Sequence, residues 1–281
     1  HIVDPPKTPE EGYHLTEDLT DQAIGYIKDL RAFSPTKPFF VYYAPGACHA
    51  PHQAPKKYID AYRDKFNKGW DAWREEVFAR QMASGLLPAG TVLSERPTWV
   101  PAWSSLSDDE RRLYTRLMEA FAGFLTHTDS EVGRLLDFIK SIDEYDNTLV
   151  IIMSDNGASA EGGPGGSFNE KYFYNFVPES LSENLKRIDL IGSEHSNNHY
   201  PWGWAWAGNT PLKRFKRDTH EGGVCDPLIV QWPNRLKNIG ETRHQYLHII
   251  DVLPTLLEVI GIEAPQHING VEQSPLNGVS F

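Results

Sequence analysis

Thr148-Leu149-Val150-Ile151-Ile152-Met153-Ser154-Asp155-Asn156-Gly157 is the stretch on which the fold turns. An apolar run rich in Val and Ile ends abruptly in a carboxylate, an amide and a glycine. Such a run reads as a buried strand of a parallel sheet. Ligands of open α/β sheets bind just beyond the carboxyl ends of the strands. Asp155 and Asn156 stand at that place as adjacent oxygen donors, the type a hard divalent cation takes. The competing reading is a strand closed by an Asn-Gly turn, where Asp and Asn only favour the bend.

The segment before this strand supports the α/β reading. Ser107 and Glu110 form a capping-box pattern. Leu113, Leu117, Phe121, Leu125, Val132, Leu136 and Ile139 then mark a long helix that ends near Ile142. A helix leading into a buried strand is half of a βαβ unit. Further upstream, Leu19, Ala23, Ile24, Ile27 and Leu30 predict a helix over 16–33, and residues 39–44 (Phe-Phe-Val-Tyr-Tyr-Ala) predict a short strand. Helical patterns run over 56–66 and 70–83. Residues 228–232 predict another strand. Asp251-Val252-Leu253-Pro254 opens a last helix that Gly261 ends. Residues 157–210, rich in Gly, Ser and Asn, are too long for a plain connection.

The chain has 281 residues, room for one large α/β domain or two smaller ones. Its net charge of -11 argues against non-specific nucleic-acid binding. No segment approaches the ~20 apolar residues of a membrane helix. Two cysteines, Cys48 and Cys225, make no disulfide framework and no zinc spacing. The start at His1 and the stop at Val279-Ser280-Phe281, apolar residues after a Gly-containing turn, suggest a piece of a longer polypeptide.

Three segments have the composition of a site. Gly46-Ala47-Cys48-His49-Ala50-Pro51-His52 follows the predicted strand at 39–44, where a His could contact a bound anion or donate a proton. Adjacent residues of an extended loop point apart, so Cys48 and His49 do not read as a nucleophile–base pair. Ser154-Asp155-Asn156-Gly157 is the second. The third, Lys213-Arg214-Phe215-Lys216-Arg217-Asp218-Thr219-His220-Glu221-Gly222-Gly223, concentrates positive charge on an acidic chain. It could neutralise a sulfate or phosphate, or be a solvated basic loop. Together these parts suit an anionic ester held beside a cation. The aromatic run from His199 to Pro211 is either a cleft wall or internal packing.

Residues 48–55 (Cys-His-Ala-Pro-His-Gln-Ala-Pro), Ser154-Asp155-Asn156-Gly157, Lys216 with Gly222-Gly223 six places on, and residues 251–257 (Asp-Val-Leu-Pro-Thr-Leu-Leu) occur in the order found in the sulfatases, which the chain resembles. The likeness is to the bacterial arylsulfatase branch of the alkaline phosphatase superfamily and runs from Gly12 to Ser280. It implies an alkaline-phosphatase-like α/β fold with a central mixed, largely parallel sheet flanked by helices. It also implies hydrolysis of a small-molecule or glycan sulfate ester. A formylglycine, made from Cys or Ser in a Cys/Ser-x-Pro-x-Arg run, supplies the nucleophile in such enzymes, and a calcium ion helps hold the sulfate. By position, Asp155 and Asn156 correspond to metal ligands, and His49 and Lys216 to catalytic, sulfate-contacting residues. Lys213 fits the spacing less well. Neither Cys48 nor Cys225 stands in a formylglycine run. The expectation is therefore a partial catalytic domain over 1–281, lacking the nucleophile region and the extreme C-terminus, and inactive alone. A phosphoryl hydrolase of the same superfamily and a non-catalytic homologue are the alternatives.

Overall fold

The computed structural model describes residues 4–237 and 239–281. The chain divides into a larger unit, His1–Lys237, and a smaller one, Asn238–Phe281.

The larger unit is organised around one long helix, α4 (Asp108–Ser141). The capping box forms: the Ser107 hydroxyl accepts from the Glu110 amide at 3.3 Å, and the Glu110 carboxylate accepts from the Ser107 amide at 2.8 Å. Leu113, Leu117 and Ile139 are buried as expected, but Leu125 is 51% exposed. Steps of four residues drift by about 40° each on a helix of 3.6 residues per turn. Three such steps from Leu113 carry Leu125 off the core face, and Phe124 and Thr128 take its place there.

Helix α1 (Leu15–Phe33) packs Ala23 and Ile27 against Leu135 and Ile139 of α4. Helix α2 (Lys56–Asp60) crosses α4 at Gly123, where a Cβ would stand 2.7 Å from the Ile59 backbone. The predicted helix over 56–66 therefore stops at Asp60 and continues as turns. Helix α3 (Gly69–Ala83) carries the fully buried Trp70, whose ring meets Trp103, Tyr114 and Trp204 at centroid distances of 4.8–6.0 Å. These aromatic rings form the heart of the main core.

Strand β1 (Val150–Met153) lies where the sequence places it, but its setting differs. It pairs antiparallel with β2 (Leu228–Gln231), Met153 opposite Leu228. Ile152, Met153 and Ile229 are 41%, 38% and 58% exposed, so this is not a buried strand. Nor does the largely parallel sheet appear: the described residues form two antiparallel two-stranded sheets. Residues 39–44 run extended without a ladder partner. Phe39 and Tyr43 rest on the α1–α4 cluster, while Phe40 and Tyr42 are exposed. The alternation is that of a strand, but a strand exists only where a neighbour takes its backbone hydrogen bonds.

Between the two strands come the short helices α5 (Glu170–Tyr174), α6 (Leu181–Lys186), α7 (Trp202–Gly208) and α8 (Glu221–Val224). In the smaller unit, α9 (Val252–Ile260) ends at Gly261 in the left-handed conformation. Strands β3 (His267–Ile268) and β4 (Val271–Glu272) join through Asn269 and Gly270. Both turn residues have positive φ, the requirement of a tight hairpin turn. The Asp251 carboxylate accepts from the amides of His248 at 2.8 Å and Val279 at 3.0 Å. Asp251 makes no side-chain cap bond to α9, unlike the cap read from the sequence; its carboxylate instead ties the Val279 segment to the turn before the helix.

Candidate active site

The chain leaving β1 runs beside the basic loop, and the backbone of the two segments is cross-linked. The Gly157 amide donates to Gly223 O at 3.2 Å, and the Lys216 amide to Ala158 O at 3.0 Å. Asn209 sits between them. Its Oδ1 accepts from the Ala158 amide at 2.9 Å, and its Nδ2 donates to Arg214 O at 3.0 Å and Gly222 O at 2.8 Å. The approach at Gly157 leaves no room for a side chain: a Cβ there would lie 1.8 Å from Gly222 O. A second support is Arg74 of α3, 1% exposed, which donates to the carbonyls of Trp206, Pro211 and Leu212 at 2.7–3.0 Å. A buried guanidinium donating to these carbonyls and to the Thr210 and Ser94 hydroxyls fixes the path of the chain into the basic loop.

That framework delivers Lys216 to His49. Lys216 Nζ lies 3.1 Å from His49 Nε2 and 2.9 Å from Glu161 Oε2, and His49 Nε2 is 3.8 Å from the same carboxylate oxygen. His49 Nδ1 faces Ala50 O at 2.8 Å; with the proton on Nδ1, Nε2 is left to accept from Lys216. Burial pushes the Glu161 carboxyl up, but the Lys216 ammonium and the Tyr174 and Ser159 hydroxyls outweigh it and hold the group at about 2. Behind it, Ser159 Oγ reaches Glu161 Oε2 at 3.1 Å and His199 Nε2 at 2.9 Å, and His199 Nδ1 faces Tyr200 O at 3.0 Å. Burial lowers His199 to about 4, so it is neutral at pH 7. Glu161, Ser159 and His199 were not read from the sequence. The only available signal was an acid six residues after Asp155, inside a segment otherwise rich in Gly, which by itself reads as solvated.

Two cavities adjoin this cluster. One of about 740 Å³ is lined by His49, Glu170, Tyr172, Tyr174, Arg187 and His195 among others. The other, of about 390 Å³, is lined by Lys216 and Glu161 together with Trp99, Trp202, Phe173 and Arg214. The rest of the aromatic run is packing: Tyr200, Trp204 and Trp206 are 2%, 1% and 4% exposed. Lys213 is exposed and takes no part in the His49 cluster. Cys48 and Cys225 are unpaired, and burial pushes the Cys48 thiol up to about 12, the opposite of an activated nucleophile.

Asp155 and Asn156 stand apart from these groups in environment. Asp155 is exposed and Asn156 partly so; the Asn156 amide donates to Gly157 O at 3.0 Å, which leaves its Oδ1 free. The β1–β2 register carries Asp155 toward Asp226. Burial, and then the Asp155 charge, raise the Asp226 carboxyl. The donors are of the right chemistry for a hard cation, yet the described residues contain no group of three or more His, Cys, Asp or Glu able to close around one. Calcium takes six to eight oxygens, more than these residues offer by themselves.

An anion-holding cluster of Lys and His beside an acidic strand end is the kind of site a hydrolase of charged esters uses. The comparisons are consistent with that class and fix the family. The family model described as Sulfatase matches residues 1–262. An uncharacterised sulfatase of Schizosaccharomyces pombe is 32% identical over 255 residues, covering 90% of this chain and 44% of that protein. An arylsulfatase of Klebsiella aerogenes is 25% identical over 272 residues, covering 96% of this chain and 56% of that protein. Among solved structures, Ps i-CgsB in complex with k-i-k-neocarrahexaose superposes on 92% of this chain and 37% of its own at a TM-score of 0.50 and 21% identity, a likeness of fold. The chain belongs to the sulfatase family. It spans about half the length of these two curated relatives.

Proposed function

We propose that this chain, both units together, is part of the catalytic domain of a sulfuric ester hydrolase, and that it holds the sulfate end of a small-molecule or glycan ester. The observation that carries the reading is the His49–Lys216–Glu161 cluster, in which the Lys216 ammonium lies 2.9 Å from an anionic oxygen of Glu161 and 3.1 Å from the His49 imidazole, itself 3.8 Å from that oxygen. A carboxylate oxygen and a sulfate oxygen make the same demand on Lys. Lys216 would neutralise the sulfate, and His49, open to the larger cavity, would take up a solvent proton at Nε2 once the sulfate draws Lys216 away, and give it to the departing alkoxide. Glu161 would hold Lys216 in position until the sulfate takes its place.

Asp155 and Asn156, with Asp226 opposite, would contribute oxygens to a calcium ion; bound there, calcium supplies positive charge beside the sulfate. Relief of the Asp155–Asp226 repulsion supports that assignment. The formylglycine nucleophile of the family has no counterpart here, because no Cys/Ser-x-Pro-x-Arg run occurs among the 281 residues. We therefore expect the chain by itself to show no turnover.

The test pairs 4-nitrophenyl sulfate with 4-nitrophenyl phosphate on the full-length protein that contains this chain. Preference for the sulfate is expected. Higher turnover of the phosphate would instead support a phosphoryl hydrolase, and no turnover of either a binding homologue.

A further inference from the structure

The smaller cavity is not explained by holding one sulfate. Lys216 reaches His49, which lines the larger cavity, yet Lys216 itself lines the smaller one. A ligand gripped at Lys216 therefore has a second volume of about 390 Å³ within reach. The walls of that volume are flat and apolar: Trp99 meets Trp202 and Phe215 edge-on at centroid distances of 5.3 Å and 5.5 Å, and Phe173 completes them.

The polar complement is cationic. Arg214, Lys216 and Arg217 face Glu161 and Asp218 around the cavity. Glu161 is committed to Lys216 at 2.9 Å and lies 4.0 Å from Arg217. Arg214 has no carboxylate partner among the described residues; its guanidinium rests over the Trp99 ring, 5.4 Å from the centroid. Arg214 and Arg217 both hold positive φ, 67° and 81°, a conformation non-glycine residues adopt only under strain. The tight turns around Lys216 are what place these two side chains beside the cavity. A guanidinium stacked on an indole keeps its in-plane N–H groups available for an oxyanion.

We propose that this cavity is a second anion subsite, in which Arg214 binds a further sulfate or carboxylate of a polyanionic substrate while Trp99 stacks on the ring that carries it. The inference rests on Lys216 holding the ester sulfate as argued above. It makes Arg214 a specificity residue rather than a catalytic one.

Two measurements on the full-length protein test it. The first compares kcat/KM for a monosulfated and a disulfated disaccharide of the same sugar skeleton in the parent, Arg214→Gln and Lys213→Gln. The parent is expected to favour the disulfated sugar, and Arg214→Gln to cut that preference at least tenfold, chiefly through KM. Lys213→Gln removes the same charge from the adjacent exposed position and should change the preference less than threefold. The second titrates sucrose octasulfate calorimetrically and needs no turnover. Here Arg214→Gln should weaken binding at least fivefold and Lys213→Gln less than twofold. Equal effects of the two variants, in either measurement, would reduce the subsite to general surface charge and overturn the proposal. No change in Arg214→Gln would overturn it as well. Absence of all turnover with the octasulfate result intact would count against the proposed reaction and leave the subsite standing.

Discussion

The two sides of the β1 exit are built differently. On one side, Lys216 lies between His49 and Glu161, and polar groups back the frame: partly buried Asn209 ties the backbone, and Ser159 and buried His199 stand behind the carboxylate. On the other, Asp155 and Asn156 stand on an exposed strand end near Asp226, whose carboxyl the Asp155 charge helps to raise. The difference teaches which function each can perform unaided. A preorganised anion frame keeps its geometry while empty, since its carboxylate already plays the anion's part. A pair of acidic oxygens gains order only from the cation that binds it, because like charges do not hold one another in place.

Gly157→Ala breaks the comparison most severely, because Gly157 joins the two sides. Its added Cβ would meet Gly222 O at 1.8 Å, so the backbone of one segment must move. We expect destabilisation of about 4 kcal/mol, the upper end of single-site effects, seen as a loss of thermal midpoint or of soluble protein. A variant as stable as the parent would show that the two segments are not packed as described.

Lys216→Ala empties the organised side. In the full-length protein it should lower kcat/KM for an aryl sulfate about 10²–10³-fold, the usual effect of removing one preorganised group aimed at developing charge. Calcium affinity, measured by calorimetry, should stay within twofold. A matched fall in calcium affinity would mean that the two sides are one coupled site.

The acid limb of stability sharpens the contrast further. His199 is neutral in the fold with its pKa at about 4, against 6.5 ordinarily. Below pH 6.5 the unfolded chain takes up a proton that the folded chain refuses, so stability falls with pH until about 4, by on the order of 3 kcal/mol. The Glu161 carboxyl is shifted in the same sense, from 4.5 to about 2, and so acts lower on the pH scale. Its contribution is whole above pH 4.5 and disappears as pH falls toward 2. Urea melts from pH 7 to 3 should therefore weaken first where His199 titrates. A flat stability between pH 6.5 and 4.5 would contradict the burial of His199.

Much of this was legible in the sequence, for reasons that differ by element. Helix α4 declares itself through Ser107, Glu110 and its periodic Leu residues, all local signals. Lys216 and His49 could be singled out as candidates because the residue types and order are distinctive. Their contact spans 167 positions and depends on Asn209, whose side chain gives no sign in sequence of bridging two segments. Glu161 was hidden for a related reason: an acid in a Gly-rich loop looks solvated until Lys216 folds onto it. The strand expected at 39–44 and the parallel sheet failed together. Alternation in Phe39 to Ala44 fixes which side chains turn inward, but whether a strand pairs, and in which direction, is set by a neighbour the segment does not encode.

Asp155→Ala should have the smallest effect on the protein alone. Asp155 is exposed, accepts no hydrogen bond among the described residues and lies near a carboxylate, so removing it costs less than about 0.5 kcal/mol. Relief of repulsion from Asp226 could even raise the melting temperature slightly. Calcium is where the residue should count. In the full-length protein the variant should bind calcium at least tenfold more weakly, as loss of a charged oxygen ligand from a hard-cation site requires. Aryl sulfate turnover should fall with it and recover in part at high calcium. The ordering is the informative part: a site that is only a turn would lose neither affinity nor activity, and a site needed for folding would lose stability first. Loss of calcium affinity without loss of stability is what an unsupported strand end that becomes a metal site only on binding should show, and unchanged calcium affinity would leave Asp155 as a turn residue.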